Sequence, residues 1–221
     1  VECMDFRWDV VADALPLLLP AAGVTIGLTA GSVMVGLFIG TFIGVFRISP
    51  LRPLRWLSAI YIDFLRGTPL LVQIFLFYFG IPAVLQIKVD PLVAAITAFG
   101  VNSGAYVGEI IRSGIQSIDK GQMEAGRSLG MSYIQTMRCV IMPQAIKRIL
   151  PPMGNEFIAM LKDSSLVSVI GFTELTRQGQ LIIARTYSSF EIWLTVAVIY
   201  LAMTLTISQF VSWLERRYRI S

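Results

Sequence analysis

Long uncharged apolar runs alternate with short polar segments along this chain. Residues 14–46, 67–87, 91–108 and 192–214 contain no charged side chain. A helix needs about 20 predominantly apolar residues, at about 1.5 Å each, to cross a hydrocarbon core of ~30 Å, so each run predicts a membrane span. The first run exceeds one crossing. Its start, with Pro16 and Pro20, is therefore placed at the interface and the helix proper from Gly23 onward. The run is also longer than a cleavable signal sequence and lacks its small-residue cleavage pattern, so it reads as a retained span. A further helix is expected over residues 153–173, although Glu156, Lys162 and Asp163 interrupt it. The predicted fold is all-α, a polytopic membrane protein with five transmembrane helices, its termini on opposite sides and residues 1–221 forming one domain.

Composition strengthens this reading. The chain is 55% hydrophobic and 14% charged, far from an ordinary soluble domain. Its net charge of +4 does not indicate nucleic acid, because the basic residues sit in short segments beside apolar runs without an aromatic-interleaved face. They report topology instead, through the excess of Lys and Arg in short cytoplasmic loops. Arg47, Arg52 and Arg55 follow the first span; Arg112, Lys120, Arg127, Arg138, Lys147 and Arg148 follow the third; Arg216, Arg217 and Arg219 end the chain. The opposite side has Arg7, Lys88, Arg177 and Arg185. The amino terminus is thus expected outside, the carboxyl terminus in the cytoplasm, and residues 112–151 form a cytoplasmic loop. The absence of histidine excludes imidazole chemistry within the chain. Cys3 and Cys139 fall on opposite sides in this topology, which argues against a disulfide.

The loop has its own grammar. Asp119 with Gln122, and Ser132 with Gln135, form capping-box patterns that predict two short helices meeting near Gly130. Gly130 is a natural C-terminal stop. Gly126 and Gly130 leave one face of the first helix without side chains, flanked by Glu124 and Arg127. Each glycine costs about 1 kcal/mol relative to alanine inside a helix, a cost explained if another backbone packs there. A solvated loop with a flexible glycine pair is the plainer alternative.

Glu124-Ala125-Gly126, then Gly130 after three residues, then Val140-Ile141-Met142-Pro143 after nine more, resembles the EAA motif of ABC importer permease subunits. Gly126, Val140 and Met142 depart from the pattern conservatively. Residues 66–73, Arg-Gly-Thr-Pro-Leu-Leu-Val-Gln, and the stretch from Asn155 through Lys162-Asp163-Ser164-Ser165-Leu166 to Gly171 resemble the polar and basic amino-acid branch of that family. The likeness runs from the first span to Glu215-Arg216-Arg217. It implies a type I importer fold in which residues 112–151 form a coupling loop, with Glu124, Ala125, Gly126, Arg127, Gly130 and Pro143 engaging a separate ATPase. The chain has no G-x-x-x-x-G-K-[ST] phosphate loop. It is therefore read as a transport subunit rather than an enzyme, with no cofactor of its own and ATP and Mg held by the partner. The implied assembly comprises a second permease chain, identical or not, two cytoplasmic ATPase subunits and an extracytoplasmic amino-acid-binding protein.

Ionisable groups inside spans are costly and mark function. Glu156 and Asp163 are seven residues apart and share a helix face. Glu156 is either a counter-charge for a substrate cation or a structural carboxylate paired with Lys147 or Arg148. Asp163, with Ser164 and Ser165, resembles an N-cap restarting a broken helix, whose dipole end can face a carboxylate. Asn102 and Ser103, with Tyr106, offer hydrogen-bonding groups for substrate or for helix packing. The substrate-binding candidates are therefore Glu156, Asn102, Ser103 and Asp163. A basic amino acid is the substrate expected from Glu156, with glutamine or another polar amino acid as the alternative. A secondary transporter would instead show paired inverted repeats, and an assembly subunit would need no intramembrane acid.

Overall fold

The computed structural model describes residues 6–218. Cys3 and Arg219 lie outside the described residues. Among the described residues every regular element is helical: α1 (Trp8–Ile48), α2 (Arg52–Gly67), α3 (Leu70–Leu85), α4 (Pro91–Gln116), α5 (Lys120–Ser128), α6 (Tyr133–Thr136), α7 (Met142–Asp163), α8 (Leu175–Thr186) and α9 (Ser189–Tyr218).

α1, α4 and α9 are long and apolar enough to cross a membrane, and α2 with α3 forms a pair bent by 104° that makes a fourth crossing if counted as one. α7, with its internal Pro151 and Pro152 and its charges, does not qualify by apolarity. The expected count of five therefore rests on α7 being carried by its neighbours rather than by its own hydropathy.

Three boundaries differ from expectation. α1 begins at Trp8 and takes in Pro16 and Pro20, because its first half packs Val10, Ala14, Leu18 and Ala22 against Leu175, Ile182, Ile192 and Val196. At 41 residues it is about 60 Å long. Helix also precedes Gly67: α2 starts at Arg52 and meets α3 at the 104° bend. α4 runs on to Gln116 and α7 starts at Met142, so the polar connection is shorter than residues 112–151.

Prolines explain the irregular helical turns. Ile81 donates to the Leu76 carbonyl and Met142 to the Met137 carbonyl, each five residues back, and each is followed by a proline. Pro82 and Pro143 cannot donate to the carbonyl four residues back, and a π turn slips the register around the gap.

The seam between α1 and α4 is the backbone of the fold. Gly36, Gly40 and Gly44 face Gly104, Val107, Gly108 and Ile111, while Gly100, Gly104 and Gly108 receive Val35, Ile39 and Ile43. Both helices advance together along this contact, so they are parallel. Each contributes small residues at i, i+4 and i+8, the pattern that lets backbones approach closely where lipid supplies no hydrophobic driving force. α7 runs the other way across α4, with Ile149 against Gly114, and α9 covers α7 with Val211 against Gly154.

Candidate functional site

Pro69 sets one wall of the site. It has no N–H for the Leu65 carbonyl one turn earlier, so the break between α2 and α3 leaves that acceptor without its helical donor at a buried residue, where an unmade hydrogen bond costs several kcal/mol, roughly. Gln73 Nε2 donates to it at 2.8 Å and Asn102 Nδ2 at 3.4 Å. Gln73 also reaches the Thr68 carbonyl and hydroxyl, and its Oε1 accepts from Asn102 Nδ2 at 2.9 Å. Both side chains are buried. Asn102, expected among the substrate ligands, thus has its amide nitrogen committed to holding the break against α4. Tyr61 adds a hydrogen bond to the Val101 carbonyl at 2.6 Å.

Ser103, the next residue, faces the other way, onto α1 at Gly36. It is fully buried, and its Oγ has no hydrogen-bond partner. Glu156 of α7 lies beside it, 8% exposed, with Oε1 likewise unpartnered. Ser32 Oγ, one helical turn from Gly36 on α1, is a further unpartnered buried hydroxyl. A helical serine commonly satisfies itself on the carbonyl a turn back, as Thr25 and Thr29 do here, so unspent polar atoms at one level of the seam are available to something else. Arg66 and Asp163 are the charges close enough to act on Glu156. Arg66 lies over the Tyr106 ring at 5.1 Å.

Glu156 makes no salt bridge to Lys147 or Arg148 among the described residues. Arg148 instead donates to the Ser117 carbonyl. The structural pairing weighed for Glu156 is therefore not formed.

Asp163 is not an N-cap. It is the last residue of α7, in α geometry and without a side-chain cap bond, and the chain continues as a 3-10 helix through Ser164–Ile170. The break comes at Gly171, with φ of 81°, and α8 is capped by Glu174, which accepts from the Thr176 and Arg177 amides and from Tyr200. Asp163 is exposed, unlike Glu156, although its charge lies close enough to act on it.

The polar loop is a compact hairpin of helices. Asp119 caps α5 through the Gly121 amide, while Gln122 contacts Gln144 rather than closing a capping box. The second box forms in full between Ser132 and Gln135. Gly130, at φ of 83°, ends α5 with Met131 donating to Gly126 and Gly130 to Arg127, a Schellman stop. Gly126 corrects one expectation. A Cβ there would stand 2.5 Å from Thr136 Cγ2, so its missing side chain admits α6 of the same chain and not a foreign backbone. Glu124, Ala125, Arg127, Gly130 and Pro143 are exposed. So are Leu129 at 83% and Ile134 at 76%, apolar residues that the motif does not single out. Ile118, Ile141 and Ala145 fix the hairpin to the ends of α4 and α7.

The sequence pattern of binding-protein-dependent transport system inner membrane components matches residues 36–220. The chain belongs to that family. The glutamine transport system permease protein of Escherichia coli (strain K12) is 43% identical over 98% of this chain and 100% of its own. The arginine transport system permease protein of Bacillus subtilis (strain 168) is 35% identical over 98% and 99%. A solved structure described as an amino acid ABC transporter with histidines superposes with a TM-score of 0.92 at 46% identity, over 97% of this chain and 99% of that one. A methionine ABC transporter at 19% identity and TM-score 0.78 shares the fold. The resemblance to amino-acid ABC permeases is thus borne out. The chain is a multi-pass inner-membrane permease subunit and not an enzyme.

Proposed function

We propose that this chain forms one half of the translocation pathway of an ATP-driven amino-acid importer, with Glu156 as counter-charge for a cationic amino acid. The supporting observation is a buried carboxylate with no cation paired to it among the described residues and its Oε1 without a hydrogen bond, set beside the buried Ser103 hydroxyl. An ammonium or guanidinium donating to Glu156 satisfies both the charge and the orphaned acceptor. A second reading is favoured by the 43% identical glutamine permease: a glutamine amide can donate to Glu156 and accept from Ser103.

The Lys and Arg bias supports an outside amino terminus and a cytoplasmic α5–α6 hairpin. Glu124, Ala125, Arg127, Leu129 and Ile134 then form the face that docks on a cytoplasmic ATPase. Pro143, through its π turn, links that face to α7, so tilting the hairpin moves the helix that bears Glu156. Import is alternating access, its direction supplied by ATP and Mg on the partner subunits. The working assembly is two permease chains, two ATPase subunits and an extracytoplasmic binding protein.

ATPase activity of the reconstituted complex, titrated with arginine, lysine, histidine, glutamine and glutamate with and without the binding protein, tests this. A hydrogen bond to a charged group contributes about 1.5–3 kcal/mol, so Glu156→Gln should weaken stimulation by arginine and lysine about 10- to 100-fold and spare glutamine. Equal loss for every amino acid would make Glu156 a structural carboxylate. Stimulation by glutamine alone would select the second reading.

A further inference from the structure

The turn between α1 and α2 gathers positive charge that no carboxylate among the described residues pairs with. Arg47, Arg52, Pro53, Arg55, Trp56 and Ala59 line a cavity of about 470 Å³. Among the described residues the ion pairs are Arg7 with Asp9 and Arg112 with Glu109, so no carboxylate engages these three guanidiniums. Glu109 is near enough for its charge to be felt by Arg47, but its carboxylate is held by Arg112. Arg47 Nε is buried without a hydrogen-bond partner. The start of α2 adds to the imbalance: its N-cap, Leu51, has no capping side chain and its first turn has no acid, which leaves the positive end of the helix dipole uncompensated.

Like charges brought together repel, and a chain that holds them in one concavity needs an anion to offset the cost. Guanidinium forks match phosphate oxygens bidentately. The depth fits a membrane surface, since Trp56 is 66% exposed and Leu51 and Leu57 are each 59% exposed, the mixture of an indole and apolar groups that settles at the headgroup level. Basic pockets between transmembrane helices take anionic headgroups. We propose that the α1–α2 pocket binds a phosphate group, presented by an anionic phospholipid, through Arg47, Arg52 and Arg55. Free inorganic phosphate shares this chemistry. The site is separate from the Glu156 region and independent of which substrate is carried; it requires only that the chain be embedded in a bilayer.

Arginine footprinting with phenylglyoxal, read peptide by peptide by mass spectrometry, tests it on the full chain within its transporter complex. The complex is placed in nanodiscs of phosphatidylcholine alone, of phosphatidylcholine with phosphatidylglycerol, and of phosphatidylcholine with inorganic phosphate at matched ionic strength. Phosphatidylglycerol should slow modification of Arg47, Arg52 and Arg55 several-fold while leaving Arg216 and Arg217 unchanged. In Arg47→Gln the protection of Arg52 and Arg55 should weaken about fivefold, the share of one basic residue near a charged surface; Arg47→Lys should keep most of it. Protection by inorganic phosphate without protection by phosphatidylglycerol would retain the phosphate site and overturn the lipid as its source. Equal modification in all three nanodiscs, or equal protection of Arg216 and Arg217, would overturn the pocket itself. Because no transport is measured, the result stands apart from the importer reading.

Discussion

Replacing Gly40 by alanine tests the seam that seats Ser103 beside Glu156. A Cβ at that position would stand 2.5 Å from both Val107 Cβ and Cγ1, and 2.8 Å from the Gly104 carbonyl oxygen. Carbon contacts are optimal at about 3.5–4.0 Å, so the shortfall is about 1 Å on two sides. Neither neighbour can turn away: Val107 is β-branched and stiff, and the Gly104 oxygen belongs to the backbone. α1 and α4 must separate. Overpacking of this kind costs about 1–3 kcal/mol, against which alanine returns about 1 kcal/mol of helix propensity. Gly27, on the same helix, has nothing within 4 Å of its added Cβ, so Gly27→Ala should keep only the favourable term. The two substitutions are chemically the same and should move stability in opposite directions. Thermal unfolding of the purified chain in one fixed lipid–detergent mixture should place Gly40→Ala below wild type, at about 2–4 °C per kcal/mol for a chain of this size, with Gly27→Ala level or above. Substrate-stimulated ATPase of the complex should fall only in Gly40→Ala. A Gly40→Ala chain as stable as Gly27→Ala would show that the two helices do not approach as closely as described.

Two further outcomes concern the hairpin. Gly126→Ala should loosen the α5–α6 contact, because Thr136 is fully buried and its hydroxyl donates to the Ser132 carbonyl; faster amide hydrogen exchange across residues 120–136 would report this, and adding Thr136→Ser should restore most of the protection. Exchange that stays slow in Gly126→Ala would mean that the site is roomier than its Cβ distance implies. Ile134→Asp, at a position 76% exposed, should leave the chain folded yet reduce co-purification of the ATPase subunit about tenfold or more, as loss of an apolar anchor does at an interface; undiminished co-purification would place the docking face elsewhere.

Much of this molecule is written locally and was legible as such. Four uncharged runs state a membrane protein because no other solvent tolerates them. Asp119, the box of Ser132 with Gln135, and Gly130 state where the loop's helices begin and stop, since each acts on amides or carbonyls within one turn of itself. The motif residues from Glu124 to Pro143 state the family. What spacing alone could not supply is which copies of a local pattern find a partner. α1 has glycines at 23, 27 and 31 and again at 36, 40 and 44, each set spaced by four; the offset of thirteen residues turns the sets about 140° apart around the helix, and only the second lies on the face that α4 covers. Gly126 read as open to a foreign backbone, but its own chain fills the space with Thr136. Asn102 and Ser103 read alike, yet a rotation of about 100° about the helix axis turns one to the break at Pro69 and the other to Glu156. Asp163 and Glu156 shared a face on paper and differ in burial. In each case the deciding contact joins residues ten to seventy positions apart, so the outcome depends on how whole helices pack, and a chain's local pattern does not contain that information.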